Sequence, residues 1–231
     1  MIFISPPFGN YISLPNCKSI KGSYTLNNRP GLFKQIYNTL YFDSSLHGWV
    51  NKIGLRNPGI DYAIQNYNHN TDIISIAILN HQDIPSFLRK IPDNTNLEIN
   101  ISCPNINKQL VDSNLQSFLN NKRQWCIIKC SPLIQQQQLD HFYNIGFRQF
   151  HFSNTLPVPN GGLSGPKLIP YTQNLSKNMK NKYNDVTIIS GGGIQSWQDL
   201  VNYNFADHHS ISTIFFSPIK LIPFFYKYYT K

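Results

Sequence analysis

Apolar residues along this chain follow two rhythms. Short runs rich in β-branched and aromatic residues, at 2–5, 19–25, 72–78, 97–101, 125–129, 149–153, 186–190 and 209–213, read as strands. Between most of them lie windows with apolar residues every three to four positions, at 31–39, 58–65, 84–91, 111–121, 134–143, 168–181, 196–203 and 218–229, which predict helices. Strands alternating with helices are the pattern of a parallel sheet, and eight such units favour a closed (β/α)8 TIM barrel in one domain, 1–231. An open dinucleotide-binding sheet would carry Gly-x-Gly-x-x-Gly after a strand, and here only Gly191-Gly192-Gly193 occurs. The stretch 6–18 holds Pro6, Pro7, Gly9 and Pro15 and is too short for a crossover helix, so the first βα unit is expected to be abbreviated.

Local signals support the helices. Ser196 is placed to cap the helix that follows, with Asp199 as the second half of a capping box, and Gly146 to end the helix through Tyr143. Gln135 to Gln138 form a solvated helix face. The aromatic tail Phe224, Phe225, Tyr226, Tyr228 and Tyr229 reads as a last helix over the barrel floor, and a membrane-surface role for it is the weaker alternative.

Composition narrows the function classes. The formal charge of +9 raises the question of nucleic acid, but the cations are scattered, form no single-face stripe and belong to no recognised nucleic-acid motif. Asn and Gln together outnumber the charged residues, as in proteins from AT-rich genomes, and a basic cleft also suits an anionic cofactor. Nothing approaches the length of a membrane span, so a cytoplasmic protein without a membrane partner is expected. Cys17, Cys103, Cys126 and Cys130 contain no Cys-x-x-Cys pair, which argues against zinc, an iron–sulfur cluster or a disulfide framework. Cys126 and Cys130 bracket Lys129, and alternation puts both sulfurs on the face opposite the lysine.

The candidate chemistry concentrates at 97–105. Leu97, Ile99 and Ile101 share one face, Glu98, Asn100 and Ser102 the other, and the strand runs into Cys103 between amides. Polar residues gathering at a strand's C-terminal end suit a barrel, whose sites lie at that end. Lys129 closes another apolar strand, and a lysine facing the barrel needs an anionic partner, for which Glu98 is one candidate.

With these residues in place, the chain resembles the dihydroorotate dehydrogenase family of FMN-containing barrels, and in particular its short, divergent members, some of them viral. The motifs run in order: Val50-Asn51-Lys52-Ile53-Gly54-Leu55-Arg56-Asn57, Asn100-Ile101-Ser102-Cys103-Pro104-Asn105, Ile128-Lys129-Cys130-Ser131-Pro132, Ser153-Asn154-Thr155, Gly161-Gly162-Leu163-Ser164-Gly165 and Ser190-Gly191-Gly192-Gly193-Ile194. The resemblance implies oxidation of dihydroorotate to orotate in pyrimidine biosynthesis, with Cys103 as general base and Lys129 at the flavin N1/O2 edge. It implies an amide cage of Asn51, Asn100, Asn105 and Asn154 for the substrate, with Thr155 beside it, because the ring offers donors and acceptors side by side. Lys21, Ser23, Asn100, Lys129, Gly165, Gly192, Gly193, Ser212 and Thr213 are the implied FMN contacts, the last four as a backbone phosphate site. A soluble electron acceptor such as fumarate is expected, since no amphipathic N-terminal extension suggests membrane quinone, and a homodimer is left open.

Three departures stand out. The loop after the first strand reads Pro6-Pro7-Phe8-Gly9-Asn10 where the family has small residues. Gly22 stands where the family has a lysine, with Lys21 one place early, so a register shift and a loss are both open. The lid after Asn105 reads Ile106-Asn107-Lys108-Gln109 without the usual Pro-Gly. Two other readings therefore stay beside the first: an FMN barrel acting on another dihydropyrimidine or enone, and an inactive barrel serving as a binding protein.

Overall fold

Alternation along eight parallel strands sends one set of apolar side chains into a barrel and the other against a ring of helices. The computed structural model describes residues 1–101 and 114–230. Its strands are β1 (Ile2–Ile4), β2 (Cys17–Tyr24), β3 (Tyr41–Asp43), β4 (Gly48–Asn51), β5 (Asp72–Ile76), β6 (Leu97–Asn100), β7 (Cys126–Cys130), β8 (Gln149–Phe152), β9 (Leu156–Val158), β10 (Gly161–Ser164), β11 (Thr187–Gly191) and β12 (His208–Ile211). The barrel closes in the order β1-β12-β11-β8-β7-β6-β5-β2, and each of the eight expected strands is found in it. The helices are α1 (Leu32–Thr39), α2 (Ile60–Gln65), α3 (Ile84–Lys90), α4 (Gln136–Asn144), α5 (Ile169–Lys182), α6 (Trp197–Val201) and α7 (Pro218–Tyr229). The first crossover is reduced to a 3-10 turn at Phe8–Asn10, as its length requires.

The two sets of side chains make separate cores. Phe3, Ile20, Ile73, Trp125, Ile127 and Ile189 fill the lower barrel. Outside it, the alternate strand residues Ile74, Ile76, Leu97, Ile99, Cys126, Ile128 and Cys130 pack against Phe87, Phe142 and Phe147. Each of these three phenylalanines is fully buried, which stabilises the fold by roughly 1.5–3 kcal/mol per ring. Both sulfurs thus face away from Lys129, and burial pushes the Cys126 thiol up to about 12. Among the described residues, no helix is long and apolar enough to cross a membrane.

Four features differ from expectation. The first is a second sheet, β3-β4-β10-β9, lying over the barrel's C-terminal rim. Its strands are three or four residues long and contain Gly48, Pro157, Gly161 and Gly162, so the sequence pattern makes them look like loops. The second is the window 111–121, of which residues 114–121 hold only a 3-10 turn at Leu115–Phe118. The third is α7, which covers the barrel's flank and not its floor. Phe224 packs with Ile2, Ile4, Cys17 and Ile211, while Tyr228 and Tyr229 donate to the carbonyls of Asn16 and Pro15. The floor is instead stoppered from inside by Phe3, Trp125 and His208, whose rings lie edge-on or tilted within 5.6 Å of one another. The fourth is the cap of α6: Ser196 Oγ accepts from Asp199 N–H, but Asp199 Oδ2 reaches the N–H of Gln195, one residue outside the box.

Candidate active site

Above the apolar floor the barrel interior turns polar, and these side chains join into one network. Glu98 of β6, Lys129 of β7 and His151 of β8 lie on adjacent strands and point inward. Glu98 and His151 are 0% exposed and Lys129 is 7%. Glu98 Oε2 takes the imidazole Nδ1 at 2.6 Å and Oε1 takes the Ser75 hydroxyl at 2.7 Å. The Lys129 ammonium stands 3.6 Å from Oε1, an ion pair without a hydrogen bond. From Ser75 the chain continues upward: Ser23 Oγ is 2.9 Å from Ser75 Oγ, and Asn100 Nδ2 donates to Ser23 Oγ at 2.8 Å.

The electrostatics follow from this wiring. Burial alone would raise the Glu98 carboxyl. The charges of Lys129 and His151 and the hydrogen bonds from His151 and Ser75 outweigh it and hold the group at about 2. Burial is the larger influence on His151 and depresses its pKa in spite of the neighbouring carboxylate, which favours a neutral ring carrying its proton on Nδ1. Both shifts act on stability in the same direction. A carboxyl at about 2 when folded and 4.5 when unfolded contributes fully above 4.5 and loses that contribution between 4.5 and 2. A histidine depressed below 6.5 loses its contribution as the pH falls from 6.5 toward its lower folded value. Urea midpoints are therefore expected to fall on the acid side from near pH 6.5 downward, and the His151→Leu variant is expected to lose less on the first part of that descent than the wild type, the remainder coming from His208 and His209, which burial depresses as well.

Ser23 reaches the interior because β2 is bulged. Lys21 pairs with Ile74 and Tyr24 with Ile76, so Gly22 and Ser23 together oppose Ser75. Gly22 has φ +130, and a Cβ there would lie 2.4 Å from the Ser75 carbonyl oxygen, so only glycine fits. The Asn10 side chain clamps the same peptide, its Oδ1 accepting from Gly22 N–H at 2.7 Å. Lys21, in contrast, lies on the outer face before the bulge and pairs with Asp72 at 2.8 Å, at the start of β5. The expectation that Lys21 touches the cofactor is corrected: the bulge turns Ser23 inward and leaves Lys21 outside. Lys21→Ala is accordingly expected to cost at most about 1 kcal/mol of stability, because its partner is buried but the lysine is not; urea unfolding checks it.

The other predicted residues gather along the rim. Asn51 of β4 pairs with Gly162 of β10, and a Cβ on Gly162 would strike the Thr155 hydroxyl, so Asn51 and Thr155 flank one glycine. The Asn154 carbonyl Oδ1 accepts from Thr155 N–H at 2.8 Å. Gly193 has φ +94 and packs directly on Gly165 and Pro166, where a Cβ would come within 2.7 Å. Gln195 then donates to the Thr213 hydroxyl at 2.9 Å, and Ser212 donates to the Pro6 carbonyl at 3.1 Å. Gly165, Gly192, Gly193, Ser212 and Thr213 thus form one continuous margin. Cys103 and Asn105 lie outside the described residues. Sequence reading missed Ser75, His151 and Asn10; the inward alternation of 149, 151 and 153 is the signal that could have found His151.

These residues fit a flavin mononucleotide on one observation above the rest. Lys129 is nearly buried yet makes no hydrogen bond among the described residues, leaving ammonium donors for an electron-rich ring edge. No group of three or more His, Cys, Asp or Glu that could hold a metal occurs among the described residues.

Known proteins similar to this chain can be set beside the site. No family model matches the chain. The catalytic subunit of dihydroorotate dehydrogenase B (NAD(+)) from Staphylococcus carnosus is 25% identical over 189 residues, 68% of this chain and 62% of that protein. The same subunit from Petrotoga mobilis is 26% identical over 192 residues, 69% of this chain and 64% of that protein. That of Malacoplasma penetrans is 28% identical over 193 residues, with 68% and 62% covered. The chain thus spans a little under two thirds of the length of these curated relatives. In three dimensions, the crystal structure of DHODH from Eimeria tenella superposes with a TM-score of 0.68 at 17% identity, over 96% of this chain and 78% of that one. A closed parallel barrel and these similarities lead to one statement: the chain is similar to the dihydroorotate dehydrogenases in sequence, at 25–28% identity over about two thirds of its length, and in its barrel fold.

Proposed function

We propose that this protein binds FMN at the barrel mouth and oxidises dihydroorotate to orotate. The observation that carries the reading is Lys129, a nearly buried ammonium whose donors are unspent on the interior side of a polar strand end. FMN, when bound, supplies the hydride acceptor for the hydrogen that leaves ring carbon 6. Lys129 would hold the electron-rich edge of the flavin and offset negative charge there, a task an ammonium performs far better at a dry strand end than in water. The margin of Gly165, Gly192, Gly193, Ser212 and Thr213 offers backbone N–H groups to a phosphate. Asn51, Asn100, Asn105 and Asn154 cage the pyrimidine, each amide presenting a donor beside an acceptor. Cys103, as thiolate, takes the proton from ring carbon 5.

A second reading keeps the flavin and changes the substrate. Gly22 occupies the position where the resemblance expects a lysine in contact with both, and Lys21 does not replace it. Another dihydropyrimidine or an enone is then the reactant. Reconstitution separates flavin binding from substrate choice. Purified protein incubated with FMN and desalted should retain a yellow chromophore with a band at about 450 nm. Protein that stays colourless after this treatment would remove both readings and favour a binding protein.

A further inference from the structure

Glu98 is surrounded by more donors than a simple ion pair needs. His151 Nδ1 at 2.6 Å and the Ser75 hydroxyl at 2.7 Å occupy one oxygen each, while Lys129 stays 3.6 Å away. A lysine alone with a buried carboxylate would close to a charge-assisted contact of about 2.7–2.9 Å. His151 also carries a cost: its Nε2 is buried without a partner, a desolvation penalty of order 1–3 kcal/mol for a buried polar atom. An apolar residue at 151, on the inward face above the interior isoleucines, would avoid that penalty. The imidazole therefore carries a cost that its hydrogen bond to Glu98 has to offset.

We propose that His151 is a positioning residue that competes with Lys129 for Glu98 and so keeps the lysine ammonium available at the barrel mouth. With Oε2 taken by the imidazole and Oε1 by Ser75, Glu98 neutralises Lys129 at a distance without consuming its donors. Glu98 is thereby a counter-ion, and His151 sets how tightly it holds. The inference rests on the FMN reading only for what the freed ammonium binds; the competition itself belongs to the protein alone.

The test has one arm without flavin and one with it. Crystal structures of the flavin-free wild type, His151→Leu and His151→Gln are compared first. Leucine should let Lys129 close on Glu98 to hydrogen-bond contact, and glutamine, whose amide still donates, should restore the wider separation. An unchanged separation in His151→Leu overturns the proposal whatever the protein binds. If His151→Leu does not fold, His151→Phe removes the donor while keeping a ring in place. The second arm measures FMN dissociation constants by fluorescence in a double-mutant cycle. His151→Leu should weaken FMN about tenfold in the wild-type background and not at all in Lys129→Ala, and His151→Gln should recover most of the loss. An equal loss in both backgrounds would show that His151 does not act through Lys129 and would overturn the proposal. A wild type that takes up no FMN counts against the assigned function, and the crystallographic separation then decides the positioning claim by itself.

Discussion

Cys103→Ala is expected to slow reduction of the bound flavin by dihydroorotate by about 10²–10⁴, the usual contribution of a positioned general base, while the yellow colour persists. The expectation follows from the motif Asn100-Ile101-Ser102-Cys103-Pro104-Asn105, whose first residue is the top of the buried network. A thiol loses a proton near neutral pH far more readily than a hydroxyl. Cys103→Ser should therefore fall between wild type and alanine, and recover part of its rate as the pH is raised. Single-turnover absorbance in an anaerobic stopped-flow instrument separates this step from reoxidation. A Cys103→Ala protein reduced at the wild-type rate would take the thiol out of the mechanism.

The second large effect is on stability. Glu98→Ala removes the carboxylate that Lys129, His151 and Ser75 share and leaves a nearly buried ammonium without a counter-ion. Breaking one side of a buried ion pair costs about 3–5 kcal/mol, which for a chain of this size corresponds to a Tm lower by roughly 6–20 °C. Glu98→Gln keeps the shape and a carbonyl acceptor and should lose less, with Ser75 still bonded. Replacing the charged pair together, as Glu98→Leu with Lys129→Met, should recover much of the stability lost by Glu98→Ala, because no charge is then left buried. The double variant should nonetheless bind FMN more weakly than the wild type. Thermal unfolding of the four proteins without flavin, followed by reconstitution, measures both consequences.

The barrel was legible because its strands are buried on both faces or alternate sharply, and each is bounded by turn residues or helices of the right length. The rim sheet was not. Strands such as β9 and β10 owe their pairing to tertiary contact between Gly161, Gly162 and β4, and three-residue segments with Pro157 carry no periodic signal. The candidate site was legible where residue type is tied to chemistry, as for Lys129 and the asparagines. It was opaque where a bulge decides direction. Nothing in Lys21-Gly22-Ser23-Tyr24 states which residue is doubled against β5, and that single extra residue exchanges a lysine for a serine at the interior. His151 escaped for another reason: a lone histidine in a strand most often packs or points to solvent, and only the register with Lys129 brings it to Glu98.

The central claim is that dihydroorotate delivers its electrons to a flavin held beside Lys129. Anaerobic mixing of the FMN-reconstituted protein with dihydroorotate tests it most directly. The band at about 450 nm should bleach with one orotate formed per flavin, and Lys129→Ala should abolish the bleaching. A protein that holds FMN firmly and stays yellow through prolonged incubation with dihydroorotate would contradict it.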